Sequence, residues 1–72
     1  MKFILEYKNY FEIGHKVMIE YWYNNMITPV IITEKVGRKF KISHNIPESK
    51  IPNAPDETIK SSEIICPYRE AA

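Results

Sequence analysis

One stretch of the chain, "PVIITEKVGRKFKIS", restricts the fold more than any other. Two runs rich in β-branched residues flank the pair Gly37-Arg38, and glycine first in a two-residue loop is typical of a type II′ β-hairpin. After the turn, Phe40 and Ile42 alternate with lysines, so the two apolar side chains share one face of a strand. The stretch therefore predicts an antiparallel hairpin over roughly residues 30–43.

The first strand of this hairpin contains a conflict in its alternation. Val30 and Ile32 have the same parity as Glu34, so a regular strand would place a carboxylate on the apolar face. A β-bulge or a strong bend removes the conflict, because an extra residue reverses the parity. We therefore expect a bulge in this strand, with Pro29 at a strand start or edge.

Other segments of the chain also favour strands. Residues 2–7 and 16–22 alternate apolar and polar side chains, and a last short strand is expected around 63–66. In the second of these, Val17, Ile19 and Tyr21 are expected to face inward. Trp22 has the opposite parity, and the pair Asn24-Asn25 predicts a tight turn after it. The aliphatic composition agrees, since 12 isoleucines and 3 valines accompany a single leucine. The excess of isoleucine, lysine, asparagine and tyrosine also fits an AT-rich genome, such as that of a bacterium, a phage or a large virus.

The segment 44–58 predicts a long loop. It contains three prolines and no sustained period. Ile46 and Ile51 are expected to attach it to the body of the domain. The sequence "PDE" suits a helix start, so a short helical turn is expected over 54–58.

The order of these elements resembles the Src-homology-3-like small barrels of the Tudor, Agenet and KOW type. The opening "FEIGHKV" from Phe11, the central hairpin and the closing "ETIKSSEII" carry the resemblance, which spans residues 11–69. It implies an all-β barrel of five to six antiparallel strands with one long Pro-rich loop. We expect a single domain over 1–72, with an extra N-terminal strand in 1–9, the barrel in 10–69 and a tail in 70–72. The extra strand and the length of the loop depart from the group.

The residues offer little for catalysis. Adjacent residues on a strand face opposite sides, so Ser43 and His44 cannot pair as nucleophile and base. His15, His44 and Cys66 are scattered, so no metal site is expected, and Cys66 is expected to be buried and inert. The two glycines of the chain cannot form a phosphate-binding loop, and acidic residues at 56–57 suit a helix start. We predict a protein that is not an enzyme and has no cofactor.

Binding to a protein partner is the function that the sequence favours. Trp22, Tyr23 and Ile51 are the predicted contact residues, in an adaptor, an assembly subunit or an inhibitor. The resemblance adds an aromatic cage for methylated lysine or arginine, which relies on cation–π attraction. Most tyrosines and phenylalanines are nevertheless expected to pack in the core of so small a domain. A domain of 72 residues buries only ~60% of its unfolded surface, so a homo-oligomer is also compatible with the sequence.

Nucleic-acid binding is the alternative. The hairpin carries a group of basic residues that could follow a phosphate backbone, Lys35, Arg38, Lys39 and Lys41. The net charge of +1 argues against a dedicated nucleic-acid protein. Such residues also commonly cover the solvent face of an antiparallel pair.

The location is predicted from the cysteine count and the N-terminal sequence. One cysteine fits a reducing compartment. The start "MKFILEYKNY" contains Glu6 and Lys8 and no small-residue cleavage site, so it is not expected to be a signal peptide. No stretch has the ~18 consecutive apolar residues of a membrane span. We predict a cytoplasmic protein.

Overall fold

Five antiparallel strands form one curled sheet in the computed structural model, which describes residues 11–68. The strands are β1 (Lys16–Glu20), β2 (Ile27–Val36), β3 (Lys39–Ser43), β4 (Glu57–Lys60) and β5 (Ile64–Pro67). Their order in the sheet is β4-β3-β2-β1-β5. The predicted all-β fold is confirmed, and the curled half-barrel is consistent with a small Src-homology-3-like barrel. The strand expected in 2–7, the N-terminal segment 1–9 and the tail 70–72 lie outside the described residues.

The long strand β2 produces the curl, because its two halves pair with different neighbours. Its first half pairs with β1, where Pro29 opposes Met18, and its second half pairs with β3. The pairing with β3 shifts between Ile32, which opposes Ile42, and Glu34, which opposes Lys41. The expected bulge is therefore confirmed, and it lets the strand bend while Glu34 stays out of the core.

The hairpin turn is also as predicted. Val36 opposes Lys39, which leaves Gly37 and Arg38 as the loop. Gly37 has φ +62°, whereas Arg38 is not among the described non-glycine residues with positive φ. Positive φ at the first loop position alone is the requirement of a type II′ turn, and glycine meets it without a steric penalty.

The core lies on the concave side of the sheet. Phe11 packs edge to face against Phe40, with ring centroids 6.5 Å apart and an interplanar angle of 84°. Around this pair the strands contribute alternate side chains, as the period of two requires. The buried apolar cluster consists of Phe11, Val17, Ile19, Val30, Ile32, Phe40, Ile42, Ile59 and Ile64.

Specific contacts fix the long loop between β3 and β4 to the sheet. Ile46 is buried, as predicted, and Ile51 is half-buried. The backbone N–H of Lys50 donates to Oγ1 of the buried Thr28 at 3.1 Å. Nζ of Lys16 lies 2.9 Å from Oε2 of Glu48. The loop therefore has a defined position, although it contains no strand or helix of its own.

The prediction of a helical turn over 54–58 is wrong. Glu57 and Thr58 belong to β4, where they oppose Ile42 and Lys41. Backbone pairing with β3 decides the conformation of this segment over the weak helix-start signal. The helical turn lies later, as a 3-10 turn over Ser61–Glu63. Its carboxylate at Glu63 accepts a hydrogen bond from the backbone N–H of Lys60 at 2.8 Å.

The ion pair of the long loop makes a testable contribution to stability. The hydrogen bond that Lys16 donates lowers the pKa of the Glu48 carboxyl below its ordinary value of 4.5. A hydrogen bond that this carboxylate accepts from the backbone of Glu48 lowers the pKa further, and desolvation opposes both effects. A carboxyl group whose pKa is lower in the folded state than in the unfolded state stabilises the fold at pH values above its unfolded-state pKa. This contribution disappears as the pH falls through the folded-state pKa.

We therefore expect Glu48→Gln to be less stable than the wild type at neutral pH, with a difference that shrinks on acidification below 4.5. Urea unfolding at a series of pH values measures it. A difference that persists at the acid end would mean that packing of the side chain, and not its charge, is responsible.

Candidate functional site

The loop from Tyr21 to Met26, here called the aromatic loop, joins β1 to β2. The backbone N–H of Tyr21 donates to the carbonyl of Met26, and that of Asn25 donates to the carbonyl of Tyr21, both at 2.8 Å. Asn25 has φ +59°, and Oδ1 of Asn24 accepts from the N–H of Met26 at 3.1 Å. The predicted asparagine turn is confirmed. These bonds hold the three aromatic residues in a defined conformation. β1 ends at Glu20, two residues before the end of the strand predicted over 16–22.

The three neighbouring rings have different environments. Tyr21 is half-buried, and its ring packs edge to face against the ring of His44. The two ring centroids are 5.2 Å apart and the interplanar angle is 78°. Trp22 and Tyr23 are 69% and 75% exposed, with ring centroids 5.7 Å apart and an interplanar angle of 82°. The prediction that Val17 and Ile19 face inward is confirmed. Tyr21 is only partly buried, because it follows the last residue of β1 and the alternation of the strand no longer sets its direction. Trp22 projects into solvent, as its parity predicts.

Two open grooves lie on either side of the aromatic loop. The first, here called the Tyr groove, lies between this loop and the long loop, and its walls are Tyr21, Tyr23, Asn24, Lys50, Ile51, Pro52, Asn53 and Ala54. The second, here called the Trp groove, lies toward the 3-10 turn and β5, and its walls are Glu20, Tyr21, Trp22, Asn25, Ser62, Glu63 and Ile65. Of the predicted contact residues, Tyr23 and Ile51 therefore share one groove, and Trp22 belongs to the other.

The second wall of the Trp groove comes from residues that the sequence did not single out. Glu63 and Ile65 flank the start of β5, and Ile65 is 46% exposed. They reach Trp22 because β5 pairs with β1, where Ile64 opposes Ile19. The parity of Trp22 and Glu20 indicated a common face, but no local pattern indicated the pairing between the two ends of the described chain.

A partly buried polar pair, His44 and Glu57, lies next to Tyr21 of the aromatic loop. His44 has no exposed surface, and its Nε2 lies 2.7 Å from Oε2 of Glu57. No local sequence pattern indicated this pair, because its members come from β4 and the residue after β3. The buried imidazole of His44 contacts the ring of Tyr21 and so supports the first residue of the aromatic loop. Within residues 11–68, no group of three or more His, Cys, Asp or Glu side chains could hold a metal ion.

The basic residues of the hairpin fall into two groups. Lys39 and Lys41 lie on the outer face of β3, opposite in direction to Phe40, and Lys39 directly opposes Lys60 of β4. Lys35 instead opposes Phe40, and its Nζ lies 3.1 Å from Oε1 of Glu12. Arg38 lies in the turn and lines a groove together with Lys35 and Gly37. The fold therefore separates Lys35 from the other predicted lysines and adds Lys60 to them.

The prediction that Cys66 is buried is wrong, because its side chain is exposed. The pairing of β1 with β5 shifts between Met18 and Ile19. Ile64 consequently faces the core beside Ile19, whereas Cys66 opposes the half-buried Met18 on the outer face. A bulge of this kind reverses the direction of the side chains that follow it.

Comparison of the chain with protein-family models, with curated proteins and with solved structures gave no match. The resemblance of residues 11–69 to Tudor-like barrels therefore stays a prediction beyond the fold class. No helix of the described part of the chain is long and apolar enough to cross a membrane.

Proposed function

We propose that this chain is a non-catalytic binding module that contacts a protein partner through the aromatic loop. The observation that carries the proposal is the exposure of Trp22 and Tyr23, which are 69% and 75% accessible although backbone hydrogen bonds order their loop. Large exposed aromatic side chains are uncommon on the free surface of a small domain and are enriched at protein interfaces. An ordered loop also loses little conformational entropy when a partner binds.

The surroundings of the loop support a contact surface wider than one side chain. The Tyr groove on one side offers the half-buried Ile51 together with Tyr23 and Pro52. The Trp groove on the other side offers Ile65. Aromatic anchors surrounded by partly polar walls are the usual arrangement of an interface hot spot. A cytoplasmic adaptor, an assembly subunit and an inhibitor all fit this surface.

The test is the effect of Trp22→Ala on capture of a stoichiometric partner from the native host. We expect affinity to fall by about thirtyfold or more, because truncation of an interface tryptophan typically costs at least about 2 kcal/mol. The matched control is Ile13→Ala, which shortens a side chain that is 60% exposed and does not belong to either groove. Equal capture by the wild type and Trp22→Ala, with both chains folded by circular dichroism, would reject the proposal.

The opposed lysines favour nucleic acid as a second candidate ligand. Directly opposed like charges on antiparallel strands destabilise each other unless an anion lies between or above them. Lys39 and Lys60 form such a pair, and Lys41 lies on the same face. A phosphate backbone across β3 and β4 would relieve the repulsion.

For this candidate, we expect Lys39→Gln with Lys60→Gln to reduce the slope of log K against log salt by about 2 for duplex DNA. Fluorescence anisotropy at several salt concentrations measures the slope, and Lys50→Gln in the long loop is the control. Binding that does not depend on salt, or an unchanged slope in the double variant, would eliminate this candidate.

A further inference from the structure

We infer that the Trp groove takes a positively charged side chain of the partner, an arginine or a lysine, over Trp22 and between the carboxylates of Glu20 and Glu63. This inference rests on the proposed function, since the ligand is a protein segment, and it names the chemistry that one of the two grooves recognises. Three properties of the groove lead to it: its charge, its aromatic wall and its apolar wall.

The charge of the groove is negative. Glu20 and Glu63 line it, and no lysine or arginine belongs to its walls. Nδ2 of Asn25 donates to Oε2 of Glu20, and the backbone N–H of Lys60 donates to Oε2 of Glu63. One oxygen of each carboxylate is thereby fixed in position. Among the described residues neither carboxylate has an ion-pair partner, so their charges are available to an incoming cation.

The walls suit the rest of a long basic side chain. Tryptophan is the best aromatic partner for a cation, and guanidinium groups also stack on its ring. Trp22 presents most of its surface, and the side chain of Ile65 is 46% exposed. The methylene stem of arginine or lysine can pack against these two residues while the charged end meets the carboxylates.

The same properties disfavour other occupants. An apolar side chain would cover the two carboxylates without pairing them, and desolvation of unpaired charges is unfavourable. An acidic side chain or a phosphate would be repelled by Glu20 and Glu63. Lys39 and Lys60, which oppose each other on β3 and β4, do not line the Trp groove, so an anionic ligand would bind at those lysines instead. The Trp groove is thus complementary to a basic segment of a protein.

The test is selection from a displayed library of random 12-residue peptides against the folded wild-type chain. Peptides that are enriched are synthesised, and their affinity is measured by calorimetry and by the fluorescence of Trp22, the single tryptophan of the chain. We expect enriched peptides to carry arginine or lysine, and replacement of that residue by glutamine to weaken binding. We expect Glu20→Gln with Glu63→Gln to weaken binding about tenfold or more, because charge-assisted hydrogen bonds are lost.

A matched control removes the same charge elsewhere. Glu34→Gln with Asp56→Asn neutralises two exposed carboxylates outside the groove, and we expect it to bind the peptides like the wild type. A selection that enriches no basic peptide, or an equal loss in the control variant, overturns the inference. Peptides that need Trp22 but lack basic residues would overturn it while the proposed function stands. The proposed function fails separately, if Trp22→Ala leaves capture of the natural partner unchanged.

Discussion

Ile42→Ala is expected to destabilise the domain by about 3–4 kcal/mol, because it leaves a cavity in a core that cannot collapse around it. Ile42 has no exposed surface and lies in the central part of the sheet, opposite Ile32 on β2 and Glu57 on β4. Small domains have a total stability of only about 5 kcal/mol or slightly more. The variant should therefore keep only about 1–2 kcal/mol of stability, with about 3–15% of its molecules unfolded at room temperature.

Urea unfolding followed by far-ultraviolet circular dichroism measures this effect as a lower midpoint with an unchanged slope. The control is Ile13→Ala, which removes the same atoms from a side chain that is 60% exposed and should cost less than about 1 kcal/mol. Similar losses in both variants would contradict the position of Ile42 in the core.

Glu57→Leu is expected to destabilise the domain by about 2–3 kcal/mol, since it leaves a polar atom of a buried ring without a partner. Oε2 of Glu57 is 2.7 Å from Nε2 of His44, and the other ring nitrogen already has no hydrogen-bond partner among the described residues. Breaking a buried polar pair costs more than replacing both members, because the remaining group keeps its desolvation penalty.

The double variant His44→Leu with Glu57→Leu should therefore recover most of the stability lost in Glu57→Leu. Denaturant midpoints of the wild type, both single variants and the double variant form a double-mutant cycle. A double variant that is no more stable than Glu57→Leu would show that the two side chains do not act as a pair. The near-ultraviolet signal of Tyr21, whose ring contacts His44, provides a second measurement of the same site.

The central hairpin could be predicted from sequence because its signals are local and agree with one another. Gly37 marks the turn, the alternation around Phe40 sets the inner face, and the parity of Glu34 requires the bulge. β4 could not be predicted in the same way, because "ETIK" is only four residues long and follows prolines. Its conformation comes from hydrogen bonds with β3, which a single short segment does not reveal.

The same difference between local signals and long-range pairing applies to the candidate site. Parity alone indicated that Trp22 leaves the core, and its exposure of 69% confirms that direction, whereas Tyr23 has the inward parity and is exposed because it lies in the turn. The nearness of Glu63 to Trp22 depends on the register between β1 and β5, and the pairing of Lys39 with Lys60 depends on the register between β3 and β4. Long-range registers follow from packing of the whole sheet, so the sequence predicted Trp22 and Lys39 but not their neighbours Glu63 and Lys60.

The pairing of β1 with β5 joins the two ends of the described chain and couples ligand binding to the local stability of the sheet. Contacts between distant segments form at a high entropic cost, so β5 is a natural place for the sheet to open locally. A molecule with β5 detached would keep its hairpins and its tryptophan but lose the wall made by Glu63 and Ile65. A ligand in the Trp groove would therefore stabilise the pairing of β5 with β1. Amide hydrogen exchange should then slow more in β5 than in the hairpin.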